Sequence, residues 1–436
     1  MTMDVPPPSS ALPSIEQIAS CVAGYDPNAL AVAQAQDFIA RFVPQVGAVE
    51  QLALRSALGR VLARDIVSPI DVPAHDNSAM DGYALRGADL RDGAPTALRL
   101  VGTGYAGQQF EGRVAPGECV RIMTGAVMPA GLDTVVPQEF TTVADAVVTL
   151  PAGVVRTGDN RRLAGEDLAR GEAALQAGRV LRPADIGLLA SLGQAEVPVR
   201  RRLRVAFFST GDELRSIGEP LEAGCVYDSN RYTIHGMLTR LGVDLLDLGV
   251  VRDDPAALEA AFRSACENAD AVITSGGVSV GEADHTKQVM ARLGEVAFWR
   301  IAMRPGRPMA FGRVASNGRT AVLFGLPGNP VAVMVTFYAF VRDALLAMAG
   351  ATPQSLPLLR ARATEAIRKK PGRTEYQRGI VSRAADGDWD VQLTGAQGSG
   401  ILRSMSVANG LVVLHHEQAS VERGGYVDVL PFDGLV

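Results

Sequence analysis

An α/β plus β fold is predicted for this 436-residue chain, and three observations predict it. From about residue 203 buried strands and helices alternate, the rhythm of a doubly wound α/β sheet. Residues 96–150 and 357–436 instead carry short alternating strands with Gly and Pro turns, the pattern of small β sandwiches or barrels. Finally, four Gly- or acid-rich loops, at 209–213, 253–254, 275–284 and 326–330, each follow the end of a predicted strand. Sheets of this class bind ligands in the crevice outside the carboxyl ends of their strands.

In chain order, residues 1 to about 25 are rich in Pro and Ser and are expected to fray at the start. Apolar residues at helical spacing (Leu30, Ala33, Phe38, Ile39, Phe42) predict a helix over 28–42, followed by a strand near 49–52 and a helix around 54–63. The stretch SPIDVPAHDNSAMDGY (68–83) has two prolines and no helical period. Its Asp76, Asn77, Ser78 and Asp81 are either ligand-facing oxygens or a set of Asx turns bracing the loop's own backbone, and the second reading is preferred. Gly102, Gly104 and Gly107 fit G-x-G-x-x-G by the letter, but turn residues follow where a helix is needed, so a dinucleotide site is excluded. RIMTGA (121–126) ends a strand in a Thr-Gly turn, and RRLAGED (161–167) sets two arginines shortly before two acids. A helix with Pro183 near its start and Gly193 just past its end closes this half, and Arg200, Arg201 and Arg202 mark a boundary.

Beyond it come a strand at 205–208, a helix over 229–241, a strand at 243–250 and a helix over 256–267 begun by Asp254 and Pro255. Strands at 271–273, 296–301, 309–314 and 321–324 follow, then an apolar helix running to about 348. In the last section Arg368, Lys369, Lys370 and Arg373 read as a solvated basic face, and Gly398-Ser399-Gly400 as a turn that could face a ligand.

The most informative stretch is DAVITSGGVSVGEADHTK (270–287). A strand, a small-residue turn and a helix start hold anions, because glycines let backbone N–H groups approach and the helix N-terminus adds partial positive charge. The following carboxylates would repel a bare anion unless a divalent cation lies between, since Mg²⁺ takes carboxylate together with phosphate oxygens. The plainer alternative is a tight βα turn with acids capping the helix.

Composition excludes several classes. A net charge of -5 and pI near 5.7 imply no general attraction to nucleic acid. Cys21, Cys119, Cys225 and Cys266 form no C-x-x-C pair, so neither a zinc knuckle nor a disulfide framework is supported. The start lacks a signal-peptide pattern, and the apolar run at 330–341 is too short to span a bilayer. A soluble cytoplasmic protein with no membrane partner is expected.

Taken together, DNSAMDGYA (76–84), RIMTGA (121–126), RRLAGEDL (161–168), FSTGDEL (208–214), YDSN (227–230), RDDP (252–255), TSGGVSVGEADHTK (274–287) and GLPGNPV (325–331) resemble the MoeA family of molybdopterin molybdenumtransferases, whose eukaryotic relative is the E domain of gephyrin. The resemblance implies an N-terminal region over 1–200 in two parts, the β-rich one about 68–150. It further implies a molybdopterin-binding α/β domain over 201–350 and a C-terminal β-barrel over 351–436. The implied reaction inserts molybdate into adenylylated molybdopterin with Mg²⁺-dependent release of AMP. The implied assembly is a homodimer whose sites are shared between the α/β domain of one subunit and the N-terminal region of the other, with contact to other proteins of molybdenum-cofactor biosynthesis.

Carried onto this chain, the catalytic residues are Asp81, Thr124, Asp167 and Glu213. Substrate would be held by Ser275, Gly276, Gly277, Ser279, Arg304, Arg307, Pro327, Gly328 and Asn329, and Mg²⁺ by Glu213, Asp253 and Asp284. Asp253 has a helix cap as its alternative role, and Asp167 and Thr124 have turn stabilisation. Arginines stand at 304 and 307 where many relatives carry lysine, which keeps the charge but presents a planar fork. His285 stands where relatives often have tyrosine and receives no role. A binding scaffold of the gephyrin type and a molybdopterin adenylyltransferase are the competing readings.

Overall fold

The structure, a computed structural model, describes residues 13–278 and 285–432. The chain divides into two compact units. One holds the described residues up to Glu50, Gly59–Ala63 and everything from Pro198; the other holds Gln51–Leu58 and Arg64–Val197.

The second unit is built on a six-stranded sheet in the order Thr134–Pro137, Gly82–Leu85, Glu118–Ile122, Thr96–Gly104, Val147–Leu150, Thr142–Ala144. Period-2 alternation gives it two buried faces: Tyr83, Leu85, Cys119 and Val136 pack on one side, Ala84, Val120, Ile122 and Val135 on the other. Gly102 and Gly104 lie inside a strand, and the Phe110 ring fills the space over Gly102, so no dinucleotide turn forms there. The predicted helix with Pro183 at its start is present as Pro183–Ser191.

One predicted helix is absent. Over 54–63 only the 3-10 turn Leu54–Ser56 forms; Gly59 adopts φ of 73°, and Leu62 bridges Val199 as extended chain. Leu58 is 54% exposed, so the segment offers no continuous apolar stripe for a helix to bury.

The first unit opens with helices Ile15–Cys21 and Val32–Phe42. Ser14 and Gln17 form a capping box on the first. The second starts at Val32 rather than near 28, because Asp26 accepts the Asn28 N–H and Leu30 N–H is bound by the Arg300 carbonyl. Its Phe38 and Phe42 meet Trp299 and Phe311 with centroids 5.1 Å apart in each pair, so this helix belongs to the core of the α/β sheet.

That sheet runs Asp244–Val251, Arg204–Thr210, Ala271–Ser275, Arg319–Leu326, Pro308–Ser316, Gly294–Arg300. The first four strands are parallel, and Pro308–Ser316 is antiparallel to both its neighbours. Val205 and Phe207 face helices Val32–Phe42, Ser229–Leu241 and Pro330–Thr336, while Ala206 and Phe208 face Pro255–Asn268 and His285–Leu293. Helices thus cover both faces, which explains why the strands read as continuous apolar runs. Phe207, Ile273 and Phe324 share a register row, so the parallel strands end together at one edge.

The helical run Pro330–Met348, which includes a π turn at Phe337–Val341, is long and apolar enough to cross a membrane by length and composition alone. Most of it is buried against the sheet, as expected of a core helix.

At the C-terminal end Thr374–Arg383, Trp389–Leu393, Leu359–Ala363, Tyr426–Pro431 and Gly410–Leu414 pair in that order, and the last pairs back onto the first, closing a five-stranded barrel. The barrel core is Ala361, Val391, Val412, Leu414 and Val429. Here the expected basic face is corrected at one position: Arg368 and Lys370 are exposed, but Lys369 is only 6% exposed, and its ammonium donates to the carbonyls of Lys370, His416 and Gln418. Arg378, fully buried, donates to Ser404 Oγ and to the carbonyls of Ala396, Gln397 and Gly398. It thereby pins the Gly398-Ser399-Gly400 turn, and the Ser399 carbonyl accepts the Val331 N–H on the first turn of Pro330–Thr336.

Replacing Lys369 with Met removes the donor from three carbonyls while keeping the stem's bulk. The expected loss is about 2 kcal/mol of stability, the cost of leaving buried acceptors unmet. Thermal denaturation checks it; an unchanged midpoint would contradict the buried role.

Candidate active site

The residues expected from sequence to serve a site fall in both units, one group in each. In the unit that contains Arg64–Val197, three loops are tied together. The short strands Asn77–Ser78 and Arg161–Arg162 pair, and the Gly125 N–H donates to the Ser78 carbonyl. Thr124 reaches Asp81 twice, donating through its backbone N–H and its hydroxyl, each at 2.7 Å. Those two bonds hold the Asp81 carboxyl below the ordinary carboxylate range, the backbone bond first, with Arg121 adding a smaller pull in the same direction. Both side chains are exposed, so the pair presents an ionised oxygen to solvent rather than bracing an interior. Asp167 is exposed as well, and its backbone N–H binds the Val72 carbonyl. Asp76 behaves as the loop-bracing reading requires: it accepts the Ala164 N–H at 2.8 Å and faces Arg161 at 3.5 Å. Arg161 is thereby committed to a loop carboxylate, and Ser78 Oγ donates to the Met80 carbonyl.

In the other unit the expected substrate residues lie at the carboxyl edge of the parallel strands. Gly276 and Gly277 have φ of 95° and 66°, a conformation L side chains rarely adopt. A Cβ on Gly276 would sit 2.3 Å from the Thr210 carbonyl oxygen, and one on Gly277 2.4 Å from Thr286 Oγ1. Glycine is therefore required for the turn after Ala271–Ser275 to tuck between the ends of its neighbours. The Gly276 N–H donates to the Leu326 carbonyl at 3.1 Å, which joins this turn to the Pro327-Gly328-Asn329 turn. Pro327 is buried, whereas Gly328 and Asn329 are exposed, and the Asn329 side chain does not cap the helix it precedes.

The acids after Arg204–Thr210 and Asp244–Val251 meet at this edge as well. Asp212 Oδ1 accepts the Asp253 N–H at 3.4 Å. Glu213 is exposed, and its carboxylate folds back over Gly211. Asp254, not Asp253, caps the next helix, by accepting the N–H groups of Ala256 and Ala257, so the capping alternative for Asp253 is set aside. Among the described residues no three His, Cys, Asp or Glu side chains converge as a metal site. The donors present are nonetheless hard carboxylate oxygens on two touching loops, which fits Mg²⁺ in kind. Ser279 and Asp284 lie outside the described residues.

Arg304 and Arg307 are exposed on the turn that joins Gly294–Arg300 to Pro308–Ser316. Sheet register puts that turn at the same edge: Ala310 lies opposite Gly325, and a Cβ on Gly306 would clash with Thr336 of the helix after the Pro327 turn. Arg304 also pairs along Thr374–Arg383 and lines a polar recess of about 290 Å³ with Arg368, Glu375, Gln377 and Arg378. Burial first, and then the Arg304 charge, push the pKa of the Arg378 guanidinium down. The larger recess, about 800 Å³, lies elsewhere among Ile39, Tyr338, Phe340, Leu356, Tyr376 and Val413; its apolar walls carry none of the Gly-rich loops.

Sequence reasoning left one residue of the edge without a role. Asn230, only 6% exposed, donates through Nδ2 to Ser275 Oγ and to the Gly328 carbonyl, both at 2.7 Å. Its place within YDSN, on the first turn of Ser229–Leu241, was the available signal.

An α/β crevice built this way suits a ligand with anionic groups, and comparison with known proteins narrows the class. Residues 206–347 match the family profile described as a probable molybdopterin binding domain. Residues 30–193 match the MoeA N-terminal region (domain I and II), and 360–432 the MoeA C-terminal region (domain IV). A molybdopterin molybdenumtransferase of Haemophilus influenzae is 41% identical over 93% of this chain and 100% of its own length. One of Nostoc is 36% identical over 87% of this chain and 88% of its own. The crystal structure of a molybdopterin biosynthesis MoeA protein from Pyrococcus horikoshii superposes with a TM-score of 0.79 at 27% identity, covering 93% of this chain and 100% of that one. The chain belongs to the MoeA family, and it is an enzyme of the transferase class that acts in molybdenum cofactor biosynthesis.

Thr124→Val removes the hydroxyl donor but leaves the backbone one. The Asp81 carboxyl pKa is then expected to rise toward the ordinary carboxylate value. A carboxylate with a depressed native pKa contributes above its unfolded pKa and loses that contribution as pH falls through the native one, so the variant should lose Asp81 ionisation at a higher pH. Carbon-detected NMR titration of Asp81 reads this directly; an unmoved titration would show that the hydroxyl does not hold the carboxylate.

Proposed function

We propose that this chain inserts molybdate into adenylylated molybdopterin with Mg²⁺-dependent release of AMP. The observation that carries the reading is the convergence at one sheet edge of the Ser275–Gly277 turn, the Pro327-Gly328-Asn329 turn, the acid loops at Glu213 and Asp253, and the arginine turn. The substrate carries a pyrophosphate and molybdate is a dianion, so the site has to gather negative charge. Backbone N–H groups of the Ser275–Gly277 turn and the guanidinium groups of Arg304 and Arg307 are the groups suited to oxyanions.

Glu213, Asp253 and Asp284 are the residues proposed to hold Mg²⁺, which when bound polarises the phosphoanhydride. Around them this chain's own groups orient the phosphates. Asp81, held ionised by Thr124, and Asp167 supply further carboxylate oxygens. We infer that they serve the crevice of a second copy, so that the working form is a homodimer with shared sites, as the family resemblance implies. The working division remains 1–200, 201–350 and 351–436, and the protein is taken to be cytoplasmic. The match across all three family regions favours this reading over an adenylyltransferase, and relatives named molybdopterin molybdenumtransferase favour it over a scaffold.

AMP release from adenylylated molybdopterin, measured with Mg²⁺ in the presence and absence of molybdate, tests the proposal. Molybdate-dependent release is expected, falling by about 100-fold in Glu213→Gln or Asp81→Asn, the scale typical of losing one preorganised electrostatic group. Release that ignores molybdate, or that survives both substitutions, would refute it.

A further inference from the structure

We infer that Asn230 is a positioning residue that sets the spacing of the two substrate turns, an inference that rests on the function proposed above. Both hydrogens of Nδ2 are used, one on Ser275 Oγ and one on the Gly328 carbonyl. Because a carbonyl can only accept, the Gly328 bond settles which end of the amide is nitrogen. Ser275 Oγ in turn donates to the Pro327 carbonyl at 3.4 Å. Three segments are therefore tied through one side chain: the first turn of Ser229–Leu241, the end of Ala271–Ser275, and the turn that follows Arg319–Leu326.

The tie matters because the two turns are in contact. A Cβ on Gly328 would lie 3.9 Å from the Gly276 Cα, so the turns already pack at van der Waals distance. Asparagine has the reach to bond both at once. Serine is too short to bridge them, and glutamine adds a rotatable bond that must be frozen. Asp228 supports the geometry from the preceding position. It is 3% exposed, and its Oδ1 accepts the Arg231 N–H at 3.1 Å, which fixes the helix start that carries Asn230. Asn230 Oδ1 and Asp228 Oδ2 are both buried and find no hydrogen-bond partner among the described residues.

A residue that only stabilised the fold would alter denaturation and leave substrate affinity in step with it. A spacer between two binding turns alters affinity first, and shares its effect with the residue it bonds. The test is a double-mutant cycle of Asn230→Ala and Ser275→Ala, reading Kd for molybdopterin by calorimetry, KM and kcat for AMP release, and the denaturation midpoint. Asn230→Ala is expected to weaken Kd and KM by about tenfold, the scale of one or two hydrogen bonds, with kcat changed far less. The double variant should be no weaker than the weaker single one. An unchanged Kd in Asn230→Ala, or losses that multiply in the double variant, would overturn the inference. Should Asn230→Ala fail to fold, Asn230→Ser takes its place with the same two outcomes. Wild-type protein that does not bind molybdopterin overturns the function on which the inference rests; wild-type binding matched by Asn230→Ala overturns the inference alone.

Discussion

The rest of the crevice depends on one close approach, that of the Gly276 backbone to the Thr210 carbonyl. No side chain fits between them, since a Cβ would lie at 2.3 Å. This contact lets the turn after the third strand of the sheet fold over the end of its neighbour instead of continuing outward. The Gly276 N–H can then reach the Leu326 carbonyl, and Gly277 can lie against Thr286 at the start of the following helix. Open any of these gaps by a methyl group and the turns, with the amides they present, must separate.

What holds the strand ends still enough for such a contact is the double cover of the sheet. Alternate residues of Arg204–Thr210 feed two different cores, one containing Phe38, Trp299 and Phe311 and the other Phe262 and Met290. Burying each of these large side chains contributes about 1.5–3 kcal/mol, so both faces resist a slip in register. The barrel adds a third anchor. Arg378 holds the turn whose Ser399 carbonyl binds Val331, and that helix begins directly after the Pro327 turn.

Much of this was legible from sequence wherever a local physical rule decided the outcome. Asp254 before Pro255 announced a helix cap, Pro183 a helix start, and uninterrupted apolar runs buried strands; each is present. The readings that failed turned on distant partners. A helix is expected over 54–63, but Leu62 finds Val199 instead. Lys369 looks like part of a solvated run, and only the carbonyls of His416 and Gln418, far along the chain, make it a buried donor. Asn230 was visible inside a motif, yet its role depends on Ser275 and Gly328, which only the sheet order brings to it. The membership of the first helices in the α/β core is of the same kind, being carried by Phe38 and Phe42 against Trp299 and Phe311.

On the proposed function, molybdopterin binds at the carboxyl edge of this sheet, against the paired glycine turns. Hydrogen–deuterium exchange with and without molybdopterin tests it most directly. Protection is predicted in peptides covering 209–214, 274–278 and 326–331, with little change in the 359–363 strand of the barrel. Protection concentrated instead around the apolar recess at Ile39, Tyr338 and Leu356, with the glycine turns unchanged, would contradict it.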